Sequence, residues 1–188
     1  MNPVHRIVKA VAASVWVLLL GVAVFVAPPS ENTGSLVWQL ALFEGPDPLL
    51  VAVFQMMGIW PLWYGRVLWR DSWPIALLAL ASFAVGAFAL MPALFFRNPE
   101  RPPRQHPQWL VGFCRSVVVR WILAAISLGL LGWGVLAGDW ERAAALWAKD
   151  GFVFTYCLDF AALSAVYPFL VWQERRRRAA PATMGLPP

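Results

Sequence analysis

The stretch 152–172 is apolar almost throughout, yet it carries one carboxylate, Asp159, well inside it. A run of that length crosses about 30 Å of hydrocarbon as an α-helix, which satisfies its own backbone polar groups in lipid. Within such a helix a charge costs a few kcal/mol or more, so Asp159 must face a partner, a cavity or a proton. At a rise of about 1.5 Å per residue it lies roughly 10 Å beyond the helix entry, too deep for so short a side chain to reach the interface. The stretch therefore predicts a membrane bundle with a polar site inside it.

Composition supports that class. Hydrophobic residues make up 60% of the chain and charged residues 13%, against about 25% charged in soluble domains. The 188 residues are nearly used up by apolar runs, which leaves no room for a soluble catalytic domain. The expected fold is all-α: an integral membrane helical bundle of about five transmembrane helices, four being the alternative, with short interfacial helices. Residues 1–178 form its single domain and 179–188 a disordered tail. The net charge of +5 is carried mainly by 97–120 and 175–178, positions that flank spans. Arginines placed there meet anionic headgroups, so the expected partners are the lipid bilayer and other membrane proteins, and no nucleic acid. Cys114 and Cys157 fall in different segments with no CxxC pattern and say little about redox compartment.

In chain order, a short basic tail, 1–9, precedes the apolar run 10–27. Pro28 and Pro29 directly after Ala27 disfavour signal-peptide cleavage there, and the run reads as a retained first helix. Residues 28–48 carry Glu31, Glu44 and Asp47 but no Lys or Arg, and their apolar piece 36–43 is too short to cross and reads as interfacial. Further spans are expected at 49–69, 73–96, 117–137 and 152–172. Pro61 lies inside the second, where it removes a backbone hydrogen bond and should kink the helix. Ser82 and Gly86, four apart in the third, form a small-xxx-small step that lets a neighbouring helix approach. Residues 97–115 read as a connection, opening with the solvated run RNPERPPRQHP, and 139–150 as a short interfacial helix with Trp140 and Trp147 on one face.

Five spans conflict with the distribution of charge. With the N-terminus inside, Arg6, Lys9, Arg66, Arg70, Arg142 and Lys149 fall inside, while the larger set in 97–120 and 175–178 falls outside. Reversing the chain places a first loop without Lys or Arg inside. If one proline-interrupted segment between 49 and 96 fails to cross, four spans leave both ends inside.

Few residues carry chemistry. His5 and His106 lie outside the spans, so neither haem nor a metal site is expected, and no cofactor follows from the sequence. No serine, cysteine or lysine in a span has a nearby histidine to activate it, and no phosphate loop is present. A non-enzymatic role is therefore the leading expectation. What remains is a candidate binding set: Asp159, Arg66, Tyr64, Tyr156 and Gln55. Arg66 can extend inward toward Asp159, Tyr64 and Tyr156 fall at similar depths, and Gln55 shares the stripe of Arg66, about three turns away. These residues read either as a buried pair that fixes helix register, with the tyrosines as interface anchors, or as a functional cleft. The 12 tryptophans mostly sit near span ends, where an aromatic belt accounts for them.

The segments APPSENTGSLVWQLALFEGPDPLLVAVFQMMGIWPLWYGRVL, PIALLALASFAVGAFALMPALFF and GDWERAAALWAKDGFVFTYCLDFAALSAVYPFL resemble, in order and spacing, a family of multi-pass membrane proteins of cyanobacteria and plastids with no assigned biochemical role. The resemblance implies that Pro28, Pro29, Gly58, Trp60, Pro61 and Asp159 belong to a family pattern, and it implies a bacterial inner membrane or thylakoid-type setting. Gln55 stands where such relatives carry Asn, and the tail here is arginine-rich. Two functions are compatible with the residues. One is a subunit or assembly factor of a larger membrane complex; the other is a small carrier or enzyme handling a proton, ion or lipid-like molecule at Asp159.

Overall fold

A computed structural model describes residues 3–30, 32–68, 73–97 and 108–179. They form nine α-helices and, among the described residues, no strand: α1 Pro3–Phe25, α2 Thr33–Ala41, α3 Pro48–Leu68, α4 Trp73–Val85, α5 Ala87–Phe96, α6 Gln108–Arg115, α7 Val117–Ala137, α8 Trp140–Lys149 and α9 Gly151–Ala179. Helices α3, α7 and α9 and the Arg6–Phe25 part of α1 are long and apolar enough to cross a membrane. The chain is thus an all-α bundle of the membrane class.

Short polar side chains set several helix starts. Asp139 caps α8 by accepting from the amides of Glu141 and Arg142 at 3.0 and 3.1 Å, and Ser116 caps α7 by accepting from that of Val119. Asp150 does the same for α9 through Phe152 and Val153, at 2.9 and 3.0 Å. Asp47 is buried because it serves two elements. One of its oxygens accepts from the amide of Leu49 at the start of α3, and the other from that of Asp139 at the α7 to α8 corner, both at 2.8 Å.

Side-chain contacts fix the direction of each helix. Tyr156 donates to the carbonyl of Leu50 and Tyr64 to that of Leu163, so α3 and α9 run the same way. Helix α7 runs against α3, since Trp63 donates to Ser127 while Gly134 packs on Ala52 and Leu49. Helix α1 runs against α5: the indole of Trp16 donates to the carbonyl of Phe88 at 3.1 Å, and Lys9 lies 5.9 Å from the Phe95 ring.

The apolar segment 73–96 departs from the expected single span. Helix α4 starts only four residues after α3 ends, runs inward, and stops at Gly86. There Ala87, the first residue of α5, bonds Asp159 of α9, and ten residues later Arg97 bonds Gln173 and Glu174 near the end of α9. Helix α5 therefore returns to the end from which α4 came, and the two pack along each other as a hairpin. Gly86 makes the reversal possible: its φ of +54° and ψ of −131° belong to a region that side chains other than hydrogen rarely tolerate. The hairpin stops short of the opposite end of the bundle, its tip meeting α9 at Asp159 and its root at Gln173 and Glu174.

Two apolar clusters follow from this. One joins the hairpin to α1, α3 and α9 and includes Leu90, Met91, Leu94, Tyr64 and Leu163. The other joins α2, α3, α8 and α9 at the opposite end through Leu40, Leu50, Val51, Ala143 and Val153. Of the interfacial segments expected, both are helical, as α2 and α8. Helix α6 was not expected, and α9 continues as helix into the basic run instead of ending at 172. The tail 180–188 and the loop 98–107 lie outside the described residues.

Candidate functional site

The hairpin tip is held by one hydrogen bond to a side-chain carboxyl group. Oδ1 of Asp159 accepts from the backbone amide of Ala87 at 2.7 Å, and Asp159 is only 2% exposed. The first amides of a helix have no partner within it and carry its positive dipole end, so a carboxylate there is stabilised. Ser82, one turn before the tip, is buried and donates to the carbonyl of Ala79 at 2.6 Å. A Cβ at Gly86 would collide with Oδ2 of Asp159, so the glycine is required both for the backbone reversal and for this approach.

Because the hairpin stops at that depth, a cavity of about 420 Å³ lies between its tip and the opposite end of the bundle. Its walls come from α2 (Val37), α3 (Phe54, Gln55, Met57, Gly58), the hairpin (Ser82, Phe83, Val85, Gly86, Phe88) and α9 (Phe152, Thr155, Tyr156, Asp159). Phe83, Val85 and Gly58 are exposed, so the cavity opens sideways on the apolar outer surface.

Of the five expected site residues, Asp159, Gln55 and Tyr156 line this cavity and Arg66 and Tyr64 do not. Gln55 donates through Nε2 to the carbonyls of Leu40 and Ala41, at 2.8 and 3.1 Å, and so satisfies the last turn of α2. Tyr156 donates to the Leu50 carbonyl at 3.3 Å. The expected Arg66 to Asp159 pair does not form. Arg66 instead donates to the carbonyls of Phe113 and Ser116, at 3.3 and 3.0 Å, and ties α3 to the α6 to α7 corner. The physical reason is direction. Tyr64 already bonds α9 a turn beyond Asp159, so Arg66 lies farther still toward the exit of α3, within reach of the carbonyls at the α6 to α7 corner. Tyr64 is fully buried against the Trp60 and Tyr167 rings, with centroids 5.9 and 5.3 Å away, and is core rather than interface anchor.

The residues that sequence reasoning missed are Gly86 as a turn, the Ala87 amide, Thr155 and the aromatic walls Phe54, Phe88 and Phe152. A lone glycine inside a 24-residue apolar run flanked by Pro74 and Pro92 was the available signal. Gln55→Leu removes both bonds to α2 while keeping the α3 wall apolar. It is expected to raise amide exchange in the last turn of α2 several-fold, at a cost of about 1–2 kcal/mol, read by hydrogen exchange and thermal unfolding.

Among the described residues no three His, Cys, Asp or Glu side chains are grouped so as to hold a metal ion. No family model, no curated protein and no solved structure matches the chain.

Proposed function

We propose that the chain crosses the bilayer four times and holds a small amphipathic molecule in the cavity under the hairpin tip. The observation that carries this reading is the hairpin that stops inside the bundle, which leaves a walled space with a lateral opening. Its volume lies in the range of about 300–1,000 Å³ common for small-molecule sites, and its lining is mostly apolar with a few polar groups. A molecule that reaches such a site by diffusing within the membrane is lipid-like.

The distribution of charge supports the topology. Arg6, Lys9, Arg66, Arg97, Arg115, Arg120, Arg175 and Arg176 lie at or near the end where the hairpin is rooted. The opposite end carries Arg142 and Lys149 together with Glu44, Asp47, Asp139, Glu141 and Asp150. Short-loop basic residues favour the cytoplasmic side, which puts the hairpin root and both chain ends there. The membrane in this reading is a bacterial inner membrane or a thylakoid-type one, as the family resemblance implies.

Gly58→Phe tests the cavity directly. Beyond its own helix turn nothing lies within 4 Å of a Cβ at Gly58, so a side chain has room to leave the helix there, at the mouth of the cavity. Wild-type protein extracted into nanodiscs with native lipids is expected to carry a defined small molecule in mass spectrometry, and Gly58→Phe to lose it while accumulating normally. An identical small-molecule complement in both would contradict the reading.

A subunit or assembly factor is the second reading, favoured by one observation. Ala125 and Gly129 lie four apart on the exposed face of α7, and nothing approaches Gly129 within 4 Å. Such a step accommodates a helix of another protein. Stoichiometric co-purifying proteins without a bound small molecule would favour it.

A further inference from the structure

We infer that the occupant of this cavity is an organic cation, a small amphiphile bearing an ammonium-type nitrogen. The inference rests on the binding reading above and names its ligand class. Its basis is the balance of donors and acceptors on the cavity wall.

The lining side chains spend most of their donors inside the protein. The Gln55 amide is committed to two carbonyls of α2, the Tyr156 hydroxyl to Leu50, and the Ser82 hydroxyl to Ala79. What is left on these lining side chains is chiefly acceptor: Oδ2 of Asp159, which has no hydrogen-bond partner among the described residues, and Oε1 of Gln55, whose Nε2 is the atom that bonds α2. The Thr155 hydroxyl can turn to serve either way. A ligand that completes this wall donates hydrogen bonds or carries positive charge; an anionic head group would meet the Asp159 carboxylate with no compensating donor.

Charge points the same way. Among the described residues no Lys or Arg lines the cavity, and Arg66 and Arg97 are both engaged elsewhere in the bundle. The Asp159 carboxylate is met by the Ala87 amide and the start of α5, a partial positive charge of roughly one half. A cationic ligand would supply the rest. Around it stand the rings of Phe54, Phe83, Phe88, Phe152 and Tyr156, whose faces attract a cation that has left water. One carboxylate within an aromatic wall is a recognition chemistry for amines and quaternary ammonium groups.

The test uses a matched pair of probes: benzyltrimethylammonium and neopentylbenzene, its uncharged carbon isostere. Binding to the full chain in nanodiscs is measured by ligand-induced thermal stabilisation and by equilibrium dialysis. The cation is expected to bind about tenfold or more tightly than the isostere. Asp159→Asn keeps a side-chain oxygen for the Ala87 amide, so it preserves the hairpin tip, and it is expected to reduce the preference to about twofold or less. Phe152→Leu, which leaves Asp159 in place, is expected to weaken the cation several-fold and the isostere little. Equal binding of the two probes, or a preference unchanged in Asp159→Asn, would overturn the cation inference and leave the cavity reading intact. Binding of neither probe, with Gly58→Phe also without effect on the native complement, would overturn both.

Discussion

Gly86→Val is expected to prevent the protein from accumulating in folded form. At φ +54° and ψ −131° a β-branched residue is strained by about 1–3 kcal/mol. The new side chain would also strike the Asp159 carboxylate and stand 2.5 Å from the terminal carbon of Met57. Moving Asp159 aside strands the Ala87 amide and a buried charge, which adds about 1–3 kcal/mol or more. The sum is a large part of the roughly 5–15 kcal/mol that holds an ordinary domain together. Gly58→Ala is the control: it lies in a helix with nothing near its Cβ and is expected to be neutral or stabilising by up to about 1 kcal/mol. Size-exclusion yield and thermal unfolding in detergent compare the three. A Gly86→Val protein with wild-type yield and midpoint would show that the reversal at the tip is not as described.

Arg97→Met should have the next largest effect, at the root of the same hairpin. Arg97 is 1% exposed, and its Nη2 lies 2.8 Å from Oε2 of Glu174 while Nη1 donates to Oε1 of Gln173 at 3.1 Å. Removing Arg97 takes its bonds away from the buried Glu174 and Gln173, and breaking a buried pair in this way costs up to about 3–5 kcal/mol. Arg97 directly follows α5, so the loss is expected to appear as faster exchange of α5 amides as well as a lower unfolding midpoint. The double variant Arg97→Met with Glu174→Met removes both charges and is expected to be more stable than the sum of the two single losses. If the two single losses simply add in the double variant, the pair does not anchor the hairpin.

Much of this arrangement was legible in the sequence, and the reason is hydrophobic length. The runs that became α1, α3, α7 and α9 could be read because a bilayer allows few conformations to a stretch of about twenty apolar residues. Asp159 could be singled out because a lone carboxylate in such a run needs an explanation. Its partner could not, because a backbone amide has no signature in residue type. The pairing with Arg66 rested on depth alone, and depth does not say which way a long side chain turns when carbonyls of α6 and the α7 cap stand nearer. Segment 73–96 has the length of a span, and its only outward sign of reversal was Gly86, which at four residues from Ser82 also read as a packing step. The charge conflict was the stronger clue. It is relieved in the four-span alternative, in which that segment returns to its starting end.

The most direct test of the account is the side of the membrane on which the two chain ends lie. A reporter tag is placed at each terminus in separate variants, and a membrane-impermeant protease or dye is applied to sealed vesicles of known orientation. A cysteine replacing Trp140, in a chain whose Cys114 and Cys157 are changed to serine, reports the opposite face. The account predicts both tags on one side and residue 140 on the other, because the hairpin does not cross. Tags on opposite sides would mean that segment 73–96 spans the bilayer, and the hairpin, the cavity beneath it and the site built on Asp159 would fall together.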